Sequence, residues 1–219
     1  AFYTRIHTEE GVDIRTDVTL EEITGDGKVN GVRLADGTVI DCKLVVIGVG
    51  VIPETELAEQ AGLVVNNGIV VNEFAQTNDP DIVAAGDCTF HHNPIYNMDI
   101  RLESVQNATD QGRIAAKTLC GNPTAYSALP WFWSDQYDLK LQIAGLSQGY
   151  DQVVVRGDTT SGRSFAAFYF KEGRLLAVDA VNSPKEFMMC KKALAAGQTA
   201  DPNKVADLSI ELKDLFTAP

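Results

Sequence analysis

The spacing of apolar residues predicts a helix and several strands at the start of the chain. Residues 2–9 carry apolar side chains at helical spacing. Segments that favour strands follow from residue 12 to residue 43, beginning with residues 12–17, and turn sequences at 25–27 and 36–37 separate them. This part of the chain is therefore predicted to form a short helix followed by an antiparallel meander at the edge of a larger structure.

Two further apolar runs predict strands that are buried within a sheet. Residues 44–47 form an uninterrupted apolar run, and residues 81–87 form a second one that ends in Gly86 and Asp87 before a predicted helix at 102–119. Strands of this kind need helices on both faces of the sheet, and the residues before Leu44 supply only one incomplete helix. No G-x-G-x-x-G turn, which would cradle a phosphate, occurs in the 219 residues. The sequence therefore predicts the later parts of nucleotide-binding α/β units whose first strands lie outside the chain.

The last third of the chain predicts an independent α+β module. Four strand candidates follow Trp131 at hairpin spacing, with turn sequences at 160–162 and 172–173. A helix is predicted over residues 184–196, because Ser183 is a favourable N-cap, Pro184 suits the first turn and Gly197 suits the end.

Composition and charge exclude several classes of protein. With 45% hydrophobic and 22% charged residues, the chain can bury a core and is not a disordered segment. The formal net charge of −12 argues against binding of nucleic acid, whose phosphates would be repelled. No apolar run approaches the roughly 20 residues that span a bilayer, so we expect a soluble protein without a membrane partner.

Cysteines and histidines give no sign of a metal centre. The four cysteines lie far apart and form no CxxC pair: Cys42, Cys88, Cys120 and Cys190. We interpret them as reduced and mostly buried thiols of a cytoplasmic protein. His91 and His92 are adjacent, and we expect both to lie in an exposed loop.

Two glycine-containing turns are candidates for ligand binding. In residues 48–53, Gly48 and Gly50 allow a close approach of backbone to a ligand, although a plain turn from strand to helix explains them equally well. In residues 77–87, Asp87 directly follows Gly86 at the predicted end of a strand, where open α/β sheets bind ligands. A solvated turn aspartate is the simpler alternative for Asp87.

Four segments resemble a known family. The T-x-x-P-x-I-x-A-x-G-D pattern of residues 77–87 resembles the second flavin-binding signature of flavoprotein reductases that use pyridine nucleotides, and GVGVIP at 48–53 resembles the end of their NADH domain. RLESVQNA at 101–108 and the long WFWSDQY-containing segment at 130–158 are similar to the ferredoxin reductases that serve bacterial oxygenases. The resemblance extends over essentially the whole chain, in the same order.

The resemblance implies a mixed fold, α/β and α+β, made of part of a flavoprotein with two dinucleotide-binding domains. Residues 1–70 would be the end of the NADH-binding domain, and residues 71–125 the returning segment of the FAD-binding domain. Residues 126–219 would be the carboxy-terminal α+β domain. The amino-terminal half of such a protein, with both glycine fingerprints, would be missing.

The resemblance also implies residues that bind the cofactors FAD and NADH. Asp87 would contact the ribityl chain of the flavin, and Val105 would lie beside its ring system. Trp133 would pack near the flavin with Trp131 as a less certain companion, although both tryptophans could instead be core or interface residues.

Glu103 matches a family carboxylate near the nicotinamide, and Gly50 matches the point of close approach to NADH. A surface carboxylate at the start of a helix, favoured by the helix dipole, is the alternative for Glu103. Gly86 and Ser104 belong to the same two motifs and complete the predicted set of cofactor-binding residues.

The implied activity is transfer of electrons from NADH through FAD to a [2Fe-2S] ferredoxin that feeds an oxygenase. FAD joins a two-electron hydride donor to a one-electron acceptor, so no side chain needs to act as an acid or a base. Because such ferredoxins are generally acidic, Arg101, Lys191 and Lys192 are candidates for docking, although a lysine pair on a helix is more often an ordinary solvated face.

Three alternatives remain. A disulfide reductase would carry a His-Glu pair near the carboxy terminus, and the chain has no histidine after His92. Flavoproteins of the apoptosis-inducing-factor kind share the Gly-Asp signature but not the WFWSDQY segment. The chain could also be a folded, non-catalytic fragment that serves interaction or dimerisation.

We expect the 219 residues alone to bind FAD poorly, because the turns that would hold its pyrophosphate are not among them. The absorbance spectrum of the purified chain tests this expectation. A preparation that is yellow on elution would contradict it.

Overall fold

The structure is a computed structural model that describes residues 1–218. These residues divide into two compact units, Ala1–Ile52 and a second that begins at Pro53. The units are described separately. No helix within residues 1–218 is both long and apolar enough to cross a bilayer.

The first unit is a helix followed by a three-stranded antiparallel sheet. Its elements are α1 (Phe2–Glu9), β1 (Leu20–Gly25), β2 (Val29–Leu34) and β3 (Val39–Asp41). Ile6 is fully buried. The predicted helix and meander are confirmed, except that residues 12–17 form no strand.

The prediction of a buried strand at residues 44–47 is wrong for this structure. Residues 44–52 belong to no helix or strand, and most of the apolar side chains are exposed, 77% for Leu44 and 84% for Val46. A strand needs a neighbour for its backbone hydrogen bonds and a cover for its apolar faces, and the sheet order of the described residues gives this segment neither.

The second unit begins with a helix and a small mixed sheet, followed by a long helix. The elements are α2 (Glu56–Gln60), β4 (Val65–Asn66), β5 (Gly68–Val71), β6 (Thr89–Asn93), β7 (Met98–Ile100) and α3 (Val105–Leu119). The strands lie in the order β4-β5-β6-β7, and only β5 and β6 are parallel.

Residues 81–87 also differ from the prediction of a strand. They make one isolated bridge, Gln76 to Val83, and then turn at Gly86 into β6. Helix α3 begins at Val105 rather than at residue 102, because Ser104 caps it: the Ser104 hydroxyl accepts a hydrogen bond from the Asn107 backbone N–H at 3.0 Å.

The last part of the chain is a five-stranded antiparallel sheet covered by a helix. Its elements are β8 (Trp131–Gln136), β9 (Leu139–Gly145), β10 (Gln152–Asp158), β11 (Ser164–Lys171), β12 (Arg174–Val181), α4 (Pro184–Ala195), β13 (Thr199–Ala200), α5 (Pro202–Val205), a 3₁₀ turn (Leu212–Asp214) and β14 (Phe216–Thr217). The sheet order is β10-β11-β12-β9-β8, and β13 pairs with β14. The core between the sheet and α4 contains Phe168, Phe170, Val178, Cys190 and Leu215.

Most of this module agrees with the sequence. The turns at 160–162 and 172–173 and the helix between Ser183 and Gly197 are confirmed. One strand candidate is instead a hairpin, β8 to β9, which turns through Tyr137 at a φ of 55°. Ser183 occupies the N-cap position of α4, but its hydroxyl lies 3.1 Å from that of Ser164 rather than on the helix backbone.

The cysteines are free thiols, as expected, but they are not mostly buried. Cys190 is buried in the core, Cys42 and Cys88 are half-buried, and Cys120 is exposed where α3 ends.

His91 and His92 lie on β6, so the prediction of an exposed loop is wrong for His91. Adjacent residues of a strand point to opposite faces. His91 is therefore only 4% exposed, whereas the exposed His92 lies 3.0 Å from Asp99 on β7. The Nδ1 atom of His91 is 3.1 Å from the amide nitrogen of the buried Gln111 on α3.

Burial lowers the pKa of His91 below its ordinary value of 6.5, and the charge of Asp99 opposes that effect only in part. The unfolded chain therefore binds a proton at His91 more readily than the folded chain does. The contribution of this site to stability is complete above the unfolded pKa and is lost as the pH falls below about 6.5.

We expect acidification to destabilise the protein less when His91 is replaced by asparagine, which can accept the same hydrogen bond but does not titrate. Urea unfolding at about pH 7.5 and about pH 5 measures the loss for both proteins. Equal losses for H91N and the unmodified protein would contradict this account.

Candidate functional site

A shallow pocket lies where the start of α3 faces strand β8. Its volume is about 160 Å³, and its lining comprises Glu103, Ser104, Val105, Phe132 and Trp133. Four of these five residues are in the cofactor-binding set predicted from the sequence, although they come from segments about 30 residues apart. Their roles toward a cofactor stay predictions.

The apolar wall of the pocket consists of side chains that a compact fold would normally cover. Val105 is 63% exposed at the first position of α3, and Trp133 is 42% exposed on β8. Exposed apolar side chains that face a common pocket are typical of a binding site for a flat apolar ring.

Trp131 supports this wall from the core side. Its ring centroid lies 5.4 Å from that of Trp133 and 5.9 Å from that of Phe187 on α4. Trp131 packs against the main core, so the packing interpretation describes it well, and its predicted cofactor role would be indirect.

The polar side of the pocket is an ion pair. The Nη1 atom of Arg101 lies 2.5 Å from Oε1 of Glu103, and the Arg101 side chain is only 14% exposed. Arg101 also donates from Nε to Oδ1 of Asn67 at 3.2 Å. Its charge is therefore committed within the protein, which weakens its candidacy as a docking residue.

Sequence reasoning missed the pairing of Arg101 with Glu103. Opposite charges two residues apart in an extended segment lie on the same face, and this spacing was the available signal. The tie to Asn67 had no comparable local signal.

Arg101 also connects the pocket with the Gly86–Asp87 turn. The same Nη1 atom lies 3.4 Å from the carbonyl oxygen of Asp87. The carboxylate-bearing side chain of Asp87 is exposed, and Gly86 has a φ of 91°, which favours glycine. One guanidinium group thus bridges the turn and Glu103, so the two predicted motifs lie side by side.

Helix α3 holds the turn from the other side. The backbone N–H of Gly86 donates to Oε1 of Gln111 at 2.8 Å, and the Thr89 hydroxyl lies 2.7 Å from the same oxygen. Sequence reasoning did not find Gln111, because a single glutamine in a helix carries no sign of burial.

These residues fit a flavin on physical grounds. Ser104 satisfies the N–H of Asn107, whereas the N–H groups of Val105 and Gln106 have no acceptor within the helix and lie at its positive end, beside the apolar wall. An electronegative ring edge suits those N–H groups, a flat ring suits Val105 and Trp133, and ribityl hydroxyls suit the exposed carboxylate of Asp87.

Gly50 belongs to the first unit and has a φ of 94°. A side chain added there would meet no atom within 4 Å, so its positive φ, rather than crowding, favours glycine. Its predicted role toward NADH stays a prediction.

Comparison with known proteins gives two family matches. Residues 1–112 match the pyridine nucleotide-disulphide oxidoreductase family, and residues 131–216 match the reductase C-terminal domain.

Similar proteins match nearly the whole chain. Putidaredoxin reductase of Pseudomonas putida is 46% identical over 100% of this chain and 52% of its own length. Rhodocoxin reductase of Rhodococcus erythropolis is 45% identical over 97% of this chain and 50% of its own length. The chain spans about half the length of the curated relatives it matches.

Solved structures agree in fold. The ferredoxin reductase of the CYP199A2 system from Rhodopseudomonas palustris superposes with a TM-score of 0.92 at 43% identity, over 97% of this chain and 53% of that one. Putidaredoxin reductase in its covalent complex with putidaredoxin gives a TM-score of 0.93 at 45% identity, over 98% and 52% of the two chains.

The predicted resemblance and fold class are thus confirmed, and FAD and a nicotinamide nucleotide are the cofactors of this family, as the resemblance implies. Since the first family match covers just over half of the chain, the chain belongs to the pyridine nucleotide-disulphide oxidoreductases and carries their reductase C-terminal domain.

Proposed function

We propose that the chain is the carboxy-terminal half of a reductase that passes electrons from NADH through FAD to a [2Fe-2S] ferredoxin serving an oxygenase. The observation that carries the proposal is the pocket between α3 and β8, where Glu103, Ser104 and Val105 face Trp133. Relatives named as ferredoxin reductases match the chain across both of its family segments, which supports the same activity.

When bound, FAD supplies the conversion between the hydride of NADH and single electrons. The residues of this chain bind and orient the reactants. Val105 and Trp133 would exclude water from one side of the pocket, and the N–H groups at the start of α3 would donate hydrogen bonds to an electronegative ring edge. Asp87 receives hydrogen bonds from hydroxyl groups.

Glu103 would orient the nicotinamide. A carboxylate accepts hydrogen bonds from a carboxamide, and the ion pair with Arg101 holds this carboxylate at the mouth of the pocket. Because Arg101 is itself anchored to Asn67, Glu103 has little freedom to leave that position.

The ferredoxin would approach over the outer face of α4. Lys191 Nζ lies 4.1 Å from the ring centroid of Trp131, which in turn contacts Trp133. Lys192 is exposed beside it. Burial lowers the pKa of Lys191 and the charge of Asp110 opposes this, so Lys191 is a partly covered cation close to the pocket.

A positive charge near the pocket, with a second one next to it on α4, is significant on a chain whose formal net charge is −12, because that net charge would repel an acidic partner. The charge pattern therefore favours Lys191 and Lys192 as the docking site.

We expect the full-length protein, supplied with FAD, to reduce a [2Fe-2S] ferredoxin at the expense of NADH. Charge reversal in K191E/K192E should raise the apparent KM for ferredoxin by about tenfold and flatten its dependence on salt. Steady-state kinetics at several salt concentrations measure both effects. Ferricyanide reduction, which needs no protein docking, reports separately on the NADH and FAD half of the reaction.

The matched control is K204E, which reverses a charge on α5, where Lys204 is exposed and pairs with Asp201. It should leave the KM for ferredoxin close to that of the unmodified protein. An unchanged KM in K191E/K192E would remove these lysines from the docking site, and failure of the unmodified protein to reduce any ferredoxin would overturn the proposed function.

A further inference from the structure

Gln111 is the centre of a buried hydrogen-bond network between α3 and the segment that follows the Gly86–Asp87 turn. Its side chain is 1% exposed. Oε1 lies 2.8 Å from the Gly86 nitrogen and 2.7 Å from the Thr89 hydroxyl, and Nε2 lies 3.1 Å from Nδ1 of His91. Three of its partners therefore come from one stretch of six residues.

The orientation of the Gln111 amide is determined by a backbone group. The N–H of Gly86 can only donate, so the amide must direct its oxygen toward Gly86. Nε2 then faces His91, whose Nδ1 accepts the hydrogen bond. Rotation of the amide by half a turn would place Nε2 against the Gly86 N–H and break that contact.

This network fixes the turn that presents Asp87. Gly86 adopts a φ of 91°, and its Cα side packs against α3, where an added methyl group would lie 3.5 Å from Cβ of Ala108. Asp87 follows directly, and within residues 1–218 no hydrogen bond or ion pair holds its side chain. On the side that faces α3, the hydrogen bond from the Gly86 N–H to Gln111 is therefore the side-chain contact nearest to Asp87. Arg101 contacts the Asp87 carbonyl oxygen separately.

Helix α3 consequently connects both parts of the proposed cofactor site. Its first residues, Ser104 and Val105, line the pocket, and Gln111 lies two turns further along the same helix. A rigid helix keeps a constant distance between these points.

We propose that Gln111 is a positioning residue for FAD, which fixes the Asp87 carboxylate relative to the start of α3 without contacting the cofactor. This inference rests on the proposed function, because it requires that the site bind FAD. Gln111 lies outside the sequence motifs from which the cofactor-binding residues were predicted.

The test compares FAD binding by variants of the full-length apoprotein. Q111M nearly preserves the volume of the side chain but removes its hydrogen bonds, and it should raise the Kd for FAD about tenfold, as expected when a buried donor loses its partner. Q111E retains an oxygen for Gly86, and His91 can donate to its second oxygen by a change of tautomer. It should therefore bind FAD within about threefold of the unmodified protein.

The matched control is T118V on the same helix. The Thr118 hydroxyl donates to the carbonyl oxygen of Phe74 at 2.7 Å and is far along α3 from Gly86. T118V should lower the thermal stability of the apoprotein but leave the Kd for FAD unchanged, so a general loss of stability is distinguished from a loss of positioning.

Should Q111M fail to fold, T89V provides a milder second variant. It removes the Thr89 hydroxyl, which lies 2.7 Å from Oε1 of Gln111 and 2.9 Å from the carbonyl oxygen of Gly86, and we expect a rise of about threefold in the Kd. An unchanged Kd in Q111M, or in T89V where Q111M is not recovered, overturns the inference. If the unmodified protein binds no FAD, the proposed function fails instead.

Discussion

The packing of the start of α3 against strand β8 is the constraint on which the candidate site depends. It places Val105 opposite Trp133 and leaves both exposed, while Ser104 caps the helix and Glu103 lies just before it. Neither segment alone forms a pocket. The hairpin of β8 and β9 contributes because Trp131 anchors Trp133 to the core.

Two polar interactions extend this arrangement to the Gly86–Asp87 turn. Arg101 bridges Glu103 and the Asp87 carbonyl oxygen, and Gln111 holds the Gly86 N–H. Both side chains are largely or fully removed from solvent. In a buried environment, a charged or polar group that loses its hydrogen bond is costly to the stability of the protein. The turn and the pocket are thus parts of one polar framework around α3.

Elements with local signals were predictable from the sequence. Pro184 and Gly197 delimit α4, and the glycine turns delimit the meander, because these residues act through their own backbone conformation. The prediction of a strand at residues 44–47 was wrong because a strand forms only beside a second strand. An apolar run does not show whether such a neighbour exists. The prediction for His91 was wrong because adjacent residues of a strand point to opposite faces, so that His91 is buried while His92 is exposed.

The candidate site was predictable in part. Motif resemblance selected Glu103, Ser104, Val105 and Trp133, which the fold brings together. The contacts that anchor this arrangement were not predictable: Arg101 reaches Asn67, 34 positions away, and Gln111 reaches Gly86, 25 positions away, and no local pattern indicates either contact.

The most direct measurement is a crystal structure of the full-length protein with FAD bound. The account predicts that the flavin ring contacts the side chains of Val105 and Trp133 at about 4 Å, with Asp87 at the ribityl chain. A flavin ring that lies away from the pocket between α3 and β8 would contradict it.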